Sequence, residues 1–234
     1  MDAAELLTHF GLTRLEAAVY MAMCREGSLT GYEAAKLTGI SRSNTYTILA
    51  GLVEKGAACL MEGAAAHYTA VPPQEFSGNI LRRLQEDRAL LLECLPSRCR
   101  EAEGYITVQG EKHIMYKMQN MLSGAKERVY LSVSREIAAR VLPELQNGVS
   151  RGIKVVVIAN EPFTLPGAVV YHAEKEQNQI RLIADSASVL TGDLNDGENS
   201  SCLYSRKKNL VDLFKESLKN EIKLIELTER NRQT

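Results

Sequence analysis

The stretch Gly39-Ile-Ser-Arg-Ser-Asn-Thr-Tyr-Thr-Ile-Leu-Ala-Gly-Leu-Val-Glu-Lys-Gly56 decides how this chain is read. A glycine closes each end, and Ser41 has a side-chain oxygen suited to capping a helix that runs to Lys55. On a wheel of about 100° per residue, Thr45, Ile48, Leu49 and Leu52 share one face, which is expected to be core. Ser43, Thr47, Ala50 and Glu54 lie opposite, and Arg42, Asn44 and Tyr46 flank them.

Outward toward the N-terminus, Thr30-x-x-Glu33 reads as a capping box. The short helix it starts carries Ala34, Ala35 and Leu37 and stops at Gly39. Further out, Thr13-x-x-Glu16 is a second box. It precedes Leu15, Ala18, Val19, Ala22 and Met23 at helical spacing, and Gly27 ends that helix. Two short helices joined by a tight glycine turn make a helix-turn-helix. Toward the C-terminus, Ala57–Met61 and His67–Val71 read as two strands around Glu62-Gly63, a wing whose tip carries no Lys or Arg.

In such arrangements the start of the second helix reaches base edges in the major groove. Arg42 and Asn44 have the chemistry for guanine or adenine edges, and Ser43 and Thr47 can serve bases or phosphates. The same face also reads as solvated polar surface. Tyr46 suits DNA contact or, preferably, packing against the wing.

The run Gly39–Gly56, followed by His67-Tyr-Thr-Ala-Val-Pro-Pro-Gln-Glu-Phe76, resembles the TrmB family of transcriptional regulators. That resemblance implies a dimer on a double-stranded DNA operator, with the helix from Ser41 as reader. It also implies sugar-like or other metabolite effectors for some members. The uncharged wing tip and a net acidic first part, with 5 Lys and Arg against 7 Asp and Glu over residues 1–72, depart from the common pattern. Phosphate contacts supply much of such binding, so affinity is expected to lean on few contacts or on dimeric avidity.

Pro72-Pro73 ends the wing, and a helix-rich stretch over 73–104 follows. Leu81, Leu84, Arg88, Leu91 and Leu95 are spaced by three or four, which suits either a dimer helix or a helix packed on its own domain. Cys94-x4-Cys99 fits a redox switch or small apolar side chains.

Residues 105–234 alternate β-rich and helical runs, which implies an α/β layer fold. Strands are expected at Ile106–Val108, Arg128–Val133, Lys154–Asn160, Ile180–Ala184, Ser188–Leu190 and Ser201–Tyr204. Helices are expected at Glu111–Ser123, Ile137–Val149 and Leu210–Leu227. Ser150-Arg-Gly-Ile-Lys-Val-Val-Val157 resembles the strand entry of phospholipase-D-like domains, whose motif is His-x-Lys-x4-Asp-x6-Gly-Ser-x-Asn. Here that register holds Asn178, Ile180, Asp185, Gly192, Asp193 and Asn195. Asn178 is no nucleophile and Ile180 cannot hold a phosphate, so no catalytic residue is assigned. His172 does not restore the spacing, and His113 is remote in sequence. Asn178, Asp185 and Asn195 could line a pocket for a small polar ligand, or Asp185 and Asn195 could simply hold a turn.

Composition bounds the rest. The 234 residues are 45% hydrophobic and 24% charged, with 28 Lys and Arg against 29 Asp and Glu, so no global charge draws the chain to nucleic acid. No apolar run approaches a membrane span, and the start Met1–Leu7 lacks the pattern of a secretory signal. Five cysteines without Cys-x-x-Cys argue against a disulfide framework or a zinc site. The expected fold is an α+β winged helix-turn-helix (1–72), a connecting helix (73–104) and an α/β phospholipase-D-like domain (105–234). The expected protein is a cytoplasmic homodimeric DNA-binding regulator without cofactor, metal or membrane contact. Its third part senses a small polar ligand or mediates assembly. The competing readings are a phospholipase-D-type phosphodiesterase or nuclease, and a protein-interaction module.

Overall fold

Two reciprocal capping boxes start the helices of the N-terminal region. Glu16 N donates to Thr13 Oγ1 at 3.2 Å while Thr13 N donates to Glu16 Oε2 at 2.7 Å, opening α2 (Arg14–Glu26), which stops at Gly27. Thr30 and Glu33 repeat the exchange for α3 (Gly31–Thr38), closed by a left-handed Gly39. A short α1 (Ala3–His9), unforeseen in the sequence, precedes them and is followed by Phe10, which packs on their core with Leu7. The computed structural model describes residues 2–63, 65–95, 104–174, 177–195 and 199–232. They fall into two units, Met1–Cys99 and Arg100–Thr234.

Helix α4 (Arg42–Glu54) turns the expected face inward: Thr45, Leu49 and Leu52 are fully buried, and Ile48 is 9% exposed. Ser41 occupies the capping position, but its hydroxyl makes no capping bond. Its carbonyl instead accepts from Thr45 N at 2.9 Å and Thr45 Oγ1 at 3.0 Å, which satisfies the one hydroxyl on the buried stripe. Leu15 and Leu37, read as part of the apolar pattern, are about half exposed.

The wing is β2 (Ala58–Met61) paired antiparallel with β3 (His67–Ala70). A two-residue β1 (Leu29–Thr30), too short to show in the sequence, adds to the other edge of β3. Tyr20 ties the wing exit to the helices: its hydroxyl donates to Val71 O at 2.7 Å and its ring meets Phe76 at 5.6 Å. Phe76 belongs to α5 (Pro73–Cys94), which buries Phe76 and Ile80 in this core. Every residue from Leu81 to Leu95 is exposed. Cys94 is a free, exposed thiol; Cys99 lies outside the described residues, and with it the Cys94–Cys99 spacing.

Glu16 also links α2 to the far end of α4. Its carboxylate, 7% exposed, pairs with Lys55 Nζ at 2.6 Å, and Lys55 donates as well to Gly11 O at 3.0 Å. A Cβ at Gly51 would stand 2.8 Å from Glu16 Oε1, so α4 passes the carboxylate closely because position 51 lacks a side chain.

In the second unit a seven-stranded mixed sheet runs in the order β4-β10-β9-β8-β5-β6-β7. Its strands are β4 (Tyr105–Gln109), β5 (Arg128–Ser132), β6 (Lys154–Ala159), β7 (Val169–His172), β8 (Gln179–Ala184), β9 (Ser188–Asp193) and β10 (Ser201–Ser205). Alternation decides the layers. Leu131, Val157 and Leu182 face the core with α6 (Glu111–Gly124), α7 (Arg135–Arg140) and α8 (Leu142–Ser150). Their neighbours Tyr130, Ile158 and Ile183 face α9 (Lys208–Arg232). The sequence predicts one helix over 137–149. The chain breaks it at Val141, and Pro143, which has no N–H to donate, sits in the first turn of α8. Strand β7 was missed because its four residues sit just after Pro166 and Gly167.

Burial raises the Glu16 pKa, but the bonds from Lys55 and Thr13 outweigh it and hold the carboxyl below its ordinary value. A folded-state pKa below the unfolded one stabilises above the ordinary carboxylate range and is lost as pH falls through the folded value. Glu16→Gln should therefore cost the first unit about 1–2 kcal/mol at neutral pH. Denaturant melts should show that gap closing below about pH 4; an equal gap at pH 3 and pH 7 would contradict this account.

Candidate nucleic-acid interface and ligand pocket

The buried stripe of α4 leaves Arg42, Ser43, Asn44, Tyr46 and Thr47 exposed together on its outer side. They are held in different ways. The Arg42 guanidinium lies 4.4 Å from the centroid of the Tyr32 ring, which α3 supplies. A guanidinium held over a ring keeps N–H donors for acceptors such as the O6 and N7 of guanine. Thr47 Oγ1 donates back to Ser43 O at 3.3 Å and keeps its lone pairs for another donor. Tyr46, expected to pack on the wing or touch DNA, lies over Gly31 at the start of α3. A Cβ there would meet Tyr46 Cε1 at 2.5 Å, so glycine makes the close approach feasible. Tyr32 was not singled out in the sequence; the available signal was an aromatic in the first turn of a short helix, one position before the capping glutamate.

The three side chains expected to share a ligand pocket do not come together. Asn178 and Asn195 flank one end of the β8–β9 hairpin, where Asn178 Nδ2 donates to Asn195 Oδ1 at 3.2 Å and Leu194 N donates to Asn178 O at 2.8 Å. Both border a cavity of about 120 Å³ with Glu111, Ser134, Gln177 and Arg140. Arg140 is already paired with Glu111 at 2.6 Å, so the walls offer amides, a hydroxyl, a neutralised ion pair and the carboxylate of Glu136. This cavity lies beyond the carboxyl ends of the parallel strands β5 and β6, where α/β sheets commonly place ligands. Glu111, Ser134, Gln177 and Arg140 were missed because three separate loops and helices supply them.

Asp185 sits at the opposite end of β8, roughly 20 Å away at about 3.3 Å per residue. Its carboxylate accepts from the backbone N–H groups of Lys126, Glu127 and Arg128 at 2.9, 2.8 and 3.0 Å. Partial burial raises its pKa, but these three donors and the Lys126 charge outweigh burial and lower it on balance. Asp185 thus straps the hairpin turn to the start of β5, the turn-holding alternative read in the sequence. Ile180, at the position of the motif lysine, is fully buried in the core. His172 ends edge strand β7, three strands or roughly 14 Å from β8. His113 is exposed on α6, and neither histidine lines the cavity. Among the described residues no cluster of His, Cys, Asp and Glu could hold a metal ion, and no helix is long and apolar enough to cross a membrane.

Residues 6–74 match the family model described as Sugar-specific transcriptional regulator TrmB. Residues 104–217 match that of Transcriptional regulator TrmB, EBD N-terminal subdomain. The chain belongs to the TrmB family of transcriptional regulators, and its fold is a winged helix-turn-helix unit followed by an α/β unit.

Among its relatives, the uncharacterized protein YrhO of Bacillus subtilis (strain 168) is 25% identical over 242 residues, covering 98% of this chain and 87% of YrhO. The DNA-binding HTH-type transcriptional repressor TrmBL2 of Thermococcus kodakarensis is 24% identical over 198 residues, covering 76% of this chain and 75% of the repressor. The solved structure of TrmBL2, an archaeal chromatin protein, is 22% identical with a TM-score of 0.45, covering 94% of this chain and 97% of that one. Nuc from Salmonella typhimurium, a phospholipase D family member, is 14% identical with a TM-score of 0.41, covering 50% of this chain and 92% of Nuc.

Asp185→Asn replaces one acceptor oxygen with a donor facing three N–H groups. It should destabilise the second unit by about 1–3 kcal/mol, read as a lower midpoint in thermal denaturation. An unchanged midpoint would show that the strap contributes nothing.

Proposed function

We propose that the protein is a homodimeric regulator that reads a double-stranded DNA operator with α4. Arg42 and Asn44 take base edges, Ser43 and Thr47 take bases or phosphates, and Tyr46 supports the helix from Gly31. The observation that carries this reading is the rotation of α4: its buried stripe commits the Arg42–Asn44–Thr47 face to the outside, with Arg42 braced by Tyr32. TrmBL2 of Thermococcus kodakarensis is a DNA-binding repressor, which supports the same assignment. The exposed leucines of α5 are suited to pairing with a second copy, because an isolated helix with such a face leaves apolar area in water. Pairing sets the distance between two reading heads and compensates for a wing tip without cations.

The second unit senses rather than cuts. Asparagine and a core isoleucine stand where a nucleophile and a phosphate-binding lysine would be needed, which disfavours the phosphodiesterase reading. The cavity beside Asn178 and Asn195, where amides donate and accept and the Glu136 carboxylate can accept from hydroxyls, fits a small polar ligand such as a sugar, and the family's description as sugar-specific supports this. Such a regulator works in the cytoplasm.

Fluorescence anisotropy with DNA fragments selected from genomic libraries tests the reading. Arg42→Ala and Asn44→Ala should each weaken the selected site by about 1–3 kcal/mol and leave random DNA nearly unaffected. Tyr32→Ala should reproduce part of the Arg42 loss, and Tyr32→Phe should not. Light scattering should find two chains, falling to one in Leu84→Asp/Leu91→Asp. Unaltered sequence preference in both Arg42→Ala and Asn44→Ala would remove α4 as the reader. For the ligand, Asn178→Ala should abolish any sugar-induced shift in melting temperature; a shift that survives places the sugar elsewhere.

A further inference from the structure

A second cavity, of about 230 Å³, lies at the end of the β8–β9 hairpin opposite Asn178. Lys117 and Asn120 of α6 form one wall, Asp185 and Ser188 of the hairpin another, and Tyr204 and Arg206 at the end of β10 a third. Its chemistry differs from that of the cavity beside Asn178. There the cation, Arg140, is neutralised by Glu111. Here Lys117 Nζ stands 3.6 Å from the centroid of the Tyr204 ring and forms no ion pair among the described residues. The carboxylate in the wall, Asp185, is turned to three backbone N–H groups.

A partly buried ammonium that has lost water and gained only an aromatic face is incompletely compensated. Burial accordingly pushes the Lys117 pKa down. An incoming oxyanion supplies the missing charge and accepts the ammonium's N–H donors, which a neutral polyol does less well. The Tyr204 ring holds the lysine in place beforehand, and the Asp185 strap fixes the hairpin wall, so little ordering remains to be done on binding. The space, about 230 Å³, suits a compact ligand.

We propose that this cavity binds a small organic oxyanion, a phosphate or carboxylate on a compact polar body, with Lys117 as its charged partner and Asn120 and Ser188 as hydrogen-bonding groups. The site is independent of the sugar-type cavity and gives the second unit an anionic effector as well.

Calorimetric titration of the full chain at constant ionic strength tests it with three probes: glycerol 3-phosphate, glycerate and neutral glycerol. Saturable binding of at least one anion and none of glycerol is expected; the two anion arms separate phosphate from carboxylate. Lys117→Met, which keeps the stem over Tyr204, should weaken binding at least tenfold, and Lys112→Met, an exposed charge loss on the same helix, should not. Failure of both anions to saturate, equal binding of glycerol, or the same affinity in Lys117→Met and Lys112→Met would overturn the proposal. The native chain's discrimination between the anions and glycerol decides it even where Lys117→Met does not fold.

Discussion

The burial of one stripe on α4 is the constraint on which the interface depends. Ile48, Leu49 and Leu52 each contribute on the order of 1.5–3 kcal/mol by leaving water, and Thr45 joins them only because its hydroxyl bonds to the Ser41 carbonyl. Turning the helix to present another face would surrender several kcal/mol, a large part of what holds a small unit folded. Two glycines sharpen the setting. Gly51 lets the Glu16 carboxylate lie against the end of α4, and Gly31 lets the Tyr46 ring of α4 lie against the start of α3. The side offered to a partner is therefore a consequence of the core, and Tyr32 adds orientation to its first cation.

The second unit uses a strand length in a comparable way. The β8–β9 hairpin carries an asparagine pair at one end and a backbone-strapping aspartate at the other. Between them Ile180 and Leu182 fill the core, and Gly192, at φ +152°, lets β10 come so near that a Cβ would overlap Ser201 O and Cys202 Cα. One end offers amides, a neutralised ion pair and the Glu136 carboxylate, the other a lysine on an aromatic ring. The same strands thus separate two chemistries by the length of six residues.

Much of this was legible in the residues, for physical reasons that differ by element. The capping boxes at Thr13 and Thr30 and the stripe of α4 are local, so spacing alone exposes them. The β8–β9 register was equally visible as a motif, but counting residues does not show which ones meet. Asn178 and Asn195 are neighbours because the hairpin folds back, and Asp185 is remote because it lies beyond the turn end of β8. The Ser41 hydroxyl was expected to cap, yet it makes no capping bond; the Ser41 carbonyl is what the helix uses, accepting from the N–H and the hydroxyl of Thr45. Tyr32, Arg140 and Lys117 acquire meaning only through partners on other elements, which no periodicity reveals.

The central claim, that the outward side of α4 lies against base pairs, is tested most directly by amide chemical-shift mapping of the full chain with a selected DNA fragment. The account predicts the largest perturbations from Arg42 to Thr47, with a smaller set at Tyr32 and its neighbours. Strong shifts on another surface, with residues 42–47 unmoved at saturating DNA, would contradict it.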